Sequence, residues 1–220
     1  MITKVTAHAG CEGTQAGSRE NIMTALRLGA DVIEMDLRAL NGEVYLSHYP
    51  LETGHLDSYL TFRQALELLQ GSDVEINCDL KEAGVLMIAL DILRETGMQE
   101  RAFFTGEVGG EPKAEEAACR CFRNVEHYGF VEEGKQLSAP EVHQLIRLYQ
   151  SAEKEHIAGF NVEYGMLTRE AIHLFAKENI PISCWLVDDE QAICQLLQED
   201  ISYITTDRVK YAVSQREILS

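Results

Sequence analysis

The feature that most constrains the fold is an alternation of short apolar runs with helical stretches, sustained along all 220 residues. The apolar runs stand at Lys4 to Ala7, Asp31 to Leu37, Val74 to Leu80, Ala102 to Thr105, Val125 to Phe130, Ile157 to Val162, Ile182 to Val187 and Ile201 to Thr205. Between them, helical periodicity covers Ile22 to Leu28, opened by Ser18-Arg19-Glu20-Asn21, then Thr61 to Leu69, Val85 to Arg94, Ala114 to Phe122 and Ala139 to Gln150. It continues over Thr168 to Lys177 and Glu190 to Gln198, with a closing helix near Val209 to Leu219. Strands separated by helices of this length pair in parallel, and eight such units predict an α/β protein of the (β/α)8 TIM-barrel type. The fifth run is the least regular, because Val125-Glu126-His127-Tyr128 mixes polar residues into it, and a doubly wound open sheet is the alternative.

Local chemistry supports these boundaries. Ser138 followed by Glu141, with Pro140 in the first turn, is a capping-box pattern, and Thr168 before Arg169-Glu170-Ala171 is a second, weaker one. Gly29, Gly71 and Gly97 each follow a helical stretch, where a left-handed residue ends a helix. Asn41-Gly42 between Leu37 and Val44-Tyr45-Leu46 predicts a small hairpin after the second strand, which returns His48 over the barrel mouth. Gly106 to Pro112 reads as a long loop after the fourth strand, so residues 1–220 form one domain.

Lys and Arg number 19 against 36 Asp and Glu, a net charge of −17 that opposes binding to nucleic acid and to anionic membranes. No segment approaches the roughly 18 apolar residues of a membrane span, and Met1-Ile2-Thr3-Lys4-Val5 is not a signal peptide, so a cytoplasmic protein is expected. The cysteines at 11, 78, 119, 121, 184 and 194 show no CxxC spacing and are expected to be free thiols. Cys119 and Cys121, placed in a helical stretch, would point to different sides.

The chemistry concentrates at strand ends. Glu34 and Asp36 are two apart on one strand, so both carboxylates project from one face of an otherwise apolar segment. Two inward like charges are costly unless a cation or a basic partner neutralises them; Lys81 and Arg38 are the available basic partners. Asp79, in Asn77-Cys78-Asp79, supplies a third carboxylate. Three oxygen ligands suit one hard divalent cation, and His8 and His48 fall at neighbouring strand ends. His55 is an exposed loop histidine, and His127, His143, His156 and His173 carry no such pattern.

Taken in order, His8-Ala9-Gly10, Glu20-Asn21-Ile22, Glu34-Met35-Asp36 and His48 resemble the His-Arg-Gly, Glu-Asn-Thr, Glu-x-Asp and second His of the glycerophosphodiester phosphodiesterase family. Asp79-Leu80-Lys81 sits where that family has Glu-x-Lys, Cys184-Trp185-Leu186-Val187 is similar to its Trp-Thr-Val, and Thr206-Asp207 to its closing Thr-Asp. The resemblance implies a metal-dependent phosphodiesterase acting on a small phosphodiester, with His8 and His48 as acid and base in either order. It implies Mg²⁺ or Ca²⁺ on Glu34, Asp36 and Asp79, with Lys81 and Trp185 against the substrate. Two departures stand out: Ala9 replaces the family's phosphate-binding Arg, and the stretch Tyr49 to Leu60 is shorter than the family's insertion. They leave two alternatives, a phospholipase D-like lyase of the sphingomyelinase D type, whose third ligand is also Asp, and a barrel that binds without catalysis.

Overall fold

The computed structural model describes residues 2–108, 119–151 and 157–219. Its strands are β1 (Lys4–Ala7), β2 (Val32–Leu40), β3 (Glu43–Leu46), β4 (Glu75–Leu80), β5 (Ala102–Gly106), β6 (Cys121–Asn124), β7 (Ile157–Glu163), β8 (Ile182–Trp185) and β9 (Tyr203–Thr206). The helices are α1 (Arg19–Leu28), α2 (Phe62–Leu68), α3 (Val85–Glu95), α4 (Ala139–Ser151), α5 (Arg169–Lys177), α6 (Glu190–Leu196) and α7 (Val209–Leu219). All strands but β3 pair in parallel, and β1 bonds to both β9 and β2, so the sheet closes into an eight-stranded barrel with helices between its strands. No described helix is long and apolar enough to cross a membrane.

The hairpin forms as its turn residues require. Asn41 and Gly42 both hold positive φ, 53° and 82°, and β3 returns antiparallel to β2 with Leu46 opposite Leu37. Among the predicted caps, Thr168 accepts from the Ala171 amide, and Gly29, Gly71 and Gly97 adopt positive φ. At α4 the box is half made: the Glu141 carboxylate accepts from both the amide and the hydroxyl of Ser138. A full box at Thr61 and Gln64 starts α2.

The fifth barrel strand lies earlier than the pattern predicts. It is Cys121–Asn124, and Val125–His127 is a 3-10 turn leaving its end. Of the predicted helix Ala114 to Phe122, residues 114–118 lie outside the described residues, while Cys121 and Phe122 are already extended. A four-residue strand is too short for its alternation to be told from a helix end. Its place follows from pairing instead, with Phe122 opposite Gly159 across a register shift in β7. The extended backbone also corrects the cysteine geometry, for side chains two apart share a side, and the Cys119 and Cys121 sulfurs are 3.5 Å apart. His156 lies outside the described residues.

Apolar packing is arranged in two bodies. The larger fills the layer between barrel and helices, where Phe62, Leu66, Leu90, Phe160 and Phe175 are fully buried. The smaller plugs the barrel itself with Val32, Phe103, Phe122 and Tyr203, the three rings 4.9 to 5.4 Å apart between centroids. Beneath the plug, Glu75 pairs with Lys4 at 3.2 Å and accepts from the Tyr203 hydroxyl at 3.1 Å. One step further along each strand the lining turns polar, and this sets the depth of the mouth: the Thr105 hydroxyl bonds Asn77 at 2.9 Å, and the Asn161 amide bonds Asn124 at 2.9 Å.

Gly159 is what lets the Phe122 ring into the plug. A Cβ there would stand 2.3 Å from the Pro181 carbonyl oxygen and 2.6 Å from the Phe122 ring. Both neighbours are held, one by the backbone and the other by aromatic packing. Gly159→Ala is therefore expected to destabilise the protein by about 1–3 kcal/mol through overpacking. Urea unfolding measures it; an unchanged midpoint with an unchanged slope would mean that the ring yields freely.

Candidate active site

Strand register assembles the carboxylates. Glu34 and Asp36 point into the barrel mouth from β2, and β4 sets Asp79 directly opposite Asp36. Glu34 and Asp36 are only 8% and 3% exposed. One carboxylate oxygen from each of Glu34, Asp36 and Asp79 lies within 4.8 Å of the others. The Thr105 hydroxyl from β5 holds a further Asp79 oxygen at 3.1 Å.

Lys81 balances this cluster in part. Its ammonium is 2.9 Å from Asp36 Oδ1 and donates to Asp79 Oδ2, so the ion pair that the sequence allows is present. Arg38 is engaged elsewhere, on Glu82 at 2.8 Å and on the His48 carbonyl at 3.0 Å. Burial would lower the Lys81 pKa, but Asp79 and Asp36 outweigh it and hold the ammonium charged. Glu34 receives no such bond. Its Oε2 is buried without a partner among the described residues, and burial, reinforced by the Asp79 charge, raises its pKa well above the usual carboxylate range. An orphaned buried carboxylate oxygen beside two further carboxylates is a donor set that fits a hard divalent cation held by Glu34, Asp36 and Asp79.

Two histidines stand over the cluster, each anchored through Nδ1. His8, just past β1, is 2.8 Å from Asp207 Oδ1, and His48, past β3, is 3.2 Å from Asp36 Oδ2. Both anchors leave Nε2 as the ring nitrogen not bonded to a carboxylate, and both rings line the same cavity. The His8 loop is held by Asn21: with the amide oriented so that both its halves are satisfied, its oxygen accepts from the amides of Gly10 at 3.0 Å and Cys11 at 3.2 Å. Asp207 is held just as firmly, since its amide bonds Asp188 Oδ1 at 2.8 Å and the same oxygen accepts from Thr206 at 3.0 Å. Burial lowers the His8 pKa, yet the Asp207 hydrogen bond, with the negative charge of Glu34, Asp207 and Asp36, carries it up to about 9.

A cavity of about 300 Å³ joins these groups, with His8, Glu34, His48, Asp79, Lys81 and Trp185 all in its wall. Asp36 lies behind that wall and reaches it through His48 and Lys81. The Trp185 indole N–H is buried without an acceptor among the described residues, so this side chain brings a hydrogen-bond donor as well as an apolar face. Ala9, buried beside His8, offers no donor side chain.

All seven residues singled out in the sequence therefore meet at one end of the barrel. Four others escaped that reading. Asp207 is the partner of His8; the sequence marked it only as part of Thr206-Asp207, and barrel closure, which pairs Ala7 with Thr206 in register, brings it there. His127, Asn124 and Asn161 also line the cavity, although His127 lies in a segment read as a strand. Nothing local marks them, because their approach depends on where the short β6 ends.

No family model matches the chain, and no curated protein matches it. Solved structures do. A putative glycerophosphoryl diester phosphodiesterase from Agrobacterium tumefaciens superposes with a TM-score of 0.76 at 15% identity, covering 100% of this chain and 99% of that one. A putative glycerophosphodiester phosphodiesterase from Galdieria sulphuraria gives 0.75 at 16% identity, over 99% and 98%. An Oleispira antarctica phosphodiesterase, solved in complex with the product sn-glycerol-3-phosphate, gives 0.69 at 14% identity, over 98% and 97%. The chain has the TIM-barrel fold of these proteins over its whole length.

The His8–Asp207 pair makes stability depend on pH with a definite sign. Because the folded pKa of about 9 lies above the ordinary 6.5, protonated His8 stabilises the fold fully below pH 6.5, and this contribution is lost as the pH rises through about 9. Metal-free protein, kept so with a chelator, should therefore melt at progressively lower temperature between pH 6.5 and 9. Asp207→Asn should flatten that slope, and a variant with the wild-type slope would refute the pairing.

Proposed function

We propose that this protein is a metal-dependent phosphoric diester hydrolase that cleaves glycerophosphodiesters, or a similar small phosphodiester, to an alcohol and a phosphomonoester. The observation that carries the reading is the meeting, around one cavity, of the Glu34, Asp36 and Asp79 cluster with two carboxylate-anchored histidines in its wall. The shared barrel supports it, as does the small product bound by the Oleispira protein. So does the completeness of both histidine–carboxylate pairs, which weighs against a barrel without catalysis.

Glu34, Asp36 and Asp79 would hold the cation, and their oxygen-only chemistry favours Mg²⁺ or Ca²⁺. Such an ion supplies positive charge to the phosphoryl oxygens as negative charge grows on them. Lys81, already charged on the cavity wall, adds a second positive group where Ala9 supplies none. The Trp185 N–H is a neutral donor for a substrate oxygen.

The carboxylate partners divide the roles of the two histidines. His8, held protonated by Asp207, has its proton at Nε2 and serves as the general acid for the departing alkoxide. His48 turns its Nδ1–H to Asp36, which leaves the Nε2 lone pair to accept a proton from the nucleophile. That nucleophile is water or a neighbouring hydroxyl of the substrate. Arg38, bonded to the His48 carbonyl, keeps this loop over the mouth.

Glu34→Gln is expected to abolish the cation-induced rise in melting temperature while the metal-free protein keeps or gains stability, since the amide carries no ionisable group where burial and the Asp79 charge already disfavour an ionised Glu34. Thermal melts with and without Mg²⁺ check this, and a retained shift would remove Glu34 from the metal site. His8→Ala and His48→Ala should each lower turnover of an alkyl diester by at least about a hundredfold. With an activated aryl diester, whose leaving group needs no proton, His8→Ala should recover most of its rate and His48→Ala should not. Recovery in the opposite variant would exchange the two roles.

A further inference from the structure

At the start of β6 stand two thiols that the phosphodiester chemistry does not use. Cys119 and Cys121 flank Arg120, and their sulfurs are 3.5 Å apart, close enough for one S–H to donate to the other. Both belong to the layer between barrel and helices, 7% and 4% exposed, whereas Phe122 belongs to the plug. The hydrogen bond from Cys121, aided by the Arg94 charge, lowers the Cys119 pKa, while burial holds the Cys11 thiol up at about 11. The same bond raises the pKa of Cys121, so Cys119 is the member of the pair that gives up its proton first.

We propose that the two cysteines form a reversible disulfide and that this bond loosens the start of β6. A disulfide oxidant such as oxidised glutathione balances the step: the Cys119 thiolate attacks one of its sulfurs and releases a first glutathione thiolate, and the Cys121 thiolate then attacks Cys119 and releases a second. The two protein thiols lose two electrons to the oxidant's S–S bond, and their protons pass to the two glutathione thiolates. Geometry makes the new bond a lever rather than a staple. Same-side residues of a strand are roughly 6.6 Å apart along it, whereas bridged Cβ atoms stand about 3.5–4.5 Å apart, so the chain from Cys119 to Cys121 must shorten. So short a loop constrains the unfolded chain little in return. The shortening falls on Cys121, through which β6 pairs with Phe104 of β5 and Ile157 of β7, and on the Arg120 carbonyl, which accepts from the Phe104 amide at 2.8 Å. At the far end of the same four-residue strand Asn124 lines the active-site cavity, bonded to Asn161 at 2.9 Å and to Glu126 at 2.8 Å. A displaced Cys121 therefore reaches the cavity through one short strand.

The test equilibrates the full chain with reduced and oxidised glutathione at a series of ratios, alkylates the remaining thiols, and digests the denatured product with trypsin. Arg120 lies between the cysteines, so cleavage there separates residues 114–120 from 121–123 unless a disulfide joins them. Joined fragments should rise in one step as the oxidised share grows and vanish with dithiothreitol. Over the same ratios the melting temperature should fall by several degrees, and turnover of bis(4-nitrophenyl) phosphate with Mg²⁺ should fall severalfold. Both responses should be absent in Cys119→Ala and Cys121→Ala. Fragments that separate at every ratio overturn the disulfide; joined fragments with unchanged melting and turnover, or responses that persist in both variants, overturn the lever. The thiol pair does not depend on the phosphodiesterase reading, and only the turnover measurement does. No turnover by the reduced protein overturns that reading, while fragments and melting still decide the pair.

Discussion

Crowding of negative charge at one end of a closed barrel is the constraint on which the rest of the site depends. Parallel pairing of β2 with β4 puts Asp36 directly beside Asp79, and the period of two in β2 adds Glu34. Three carboxylates this close and this buried repel one another strongly when ionised. The protein answers with one ammonium, from Lys81, and with neutral donors such as Thr105, while Glu34 keeps an oxygen unbonded. The negative charge of the cluster also adds to the Asp207 hydrogen bond in raising the pKa of the neighbouring His8.

The two halves of the barrel interior divide the labour. Val32, Phe103, Phe122 and Tyr203 seal the lower half with aromatic contact, and the ion pairs beneath them close the bottom. Above the plug the cavity is lined by Asn, Thr, Asp, Glu, His and Lys side chains together with Leu80, Trp185 and Leu186, a lining with room for a small polar ligand at the strand ends. Strands fix the carboxylates rigidly, whereas both histidines stand on loops. Each loop is therefore tied to its neighbours, the first through Asn21 and Asp207 and the second through Arg38 and Asp36. Rigid carboxylates with tethered imidazoles are the arrangement that the proposed phosphoryl chemistry would need, because its catalysis comes mainly from positioning and charge.

The sequence by itself determined the repeating unit and most of the residues that converge in the candidate site, because strand alternation and the order of motifs are local properties. Glu34 and Asp36 declare a shared face, Asn41-Gly42 a hairpin, and the eight alternations a barrel. What it could not determine is where distant strand ends meet. Asp207 becomes the partner of His8 only because β9 closes onto β1, nearly 200 residues apart in the chain. His127, Asn124 and Asn161 reach the cavity only because β6 is four residues long and begins at Cys121, a limit set by pairing with β7 rather than by any local preference. The carboxylate that each imidazole touches was likewise beyond the sequence, since only tertiary packing decides it.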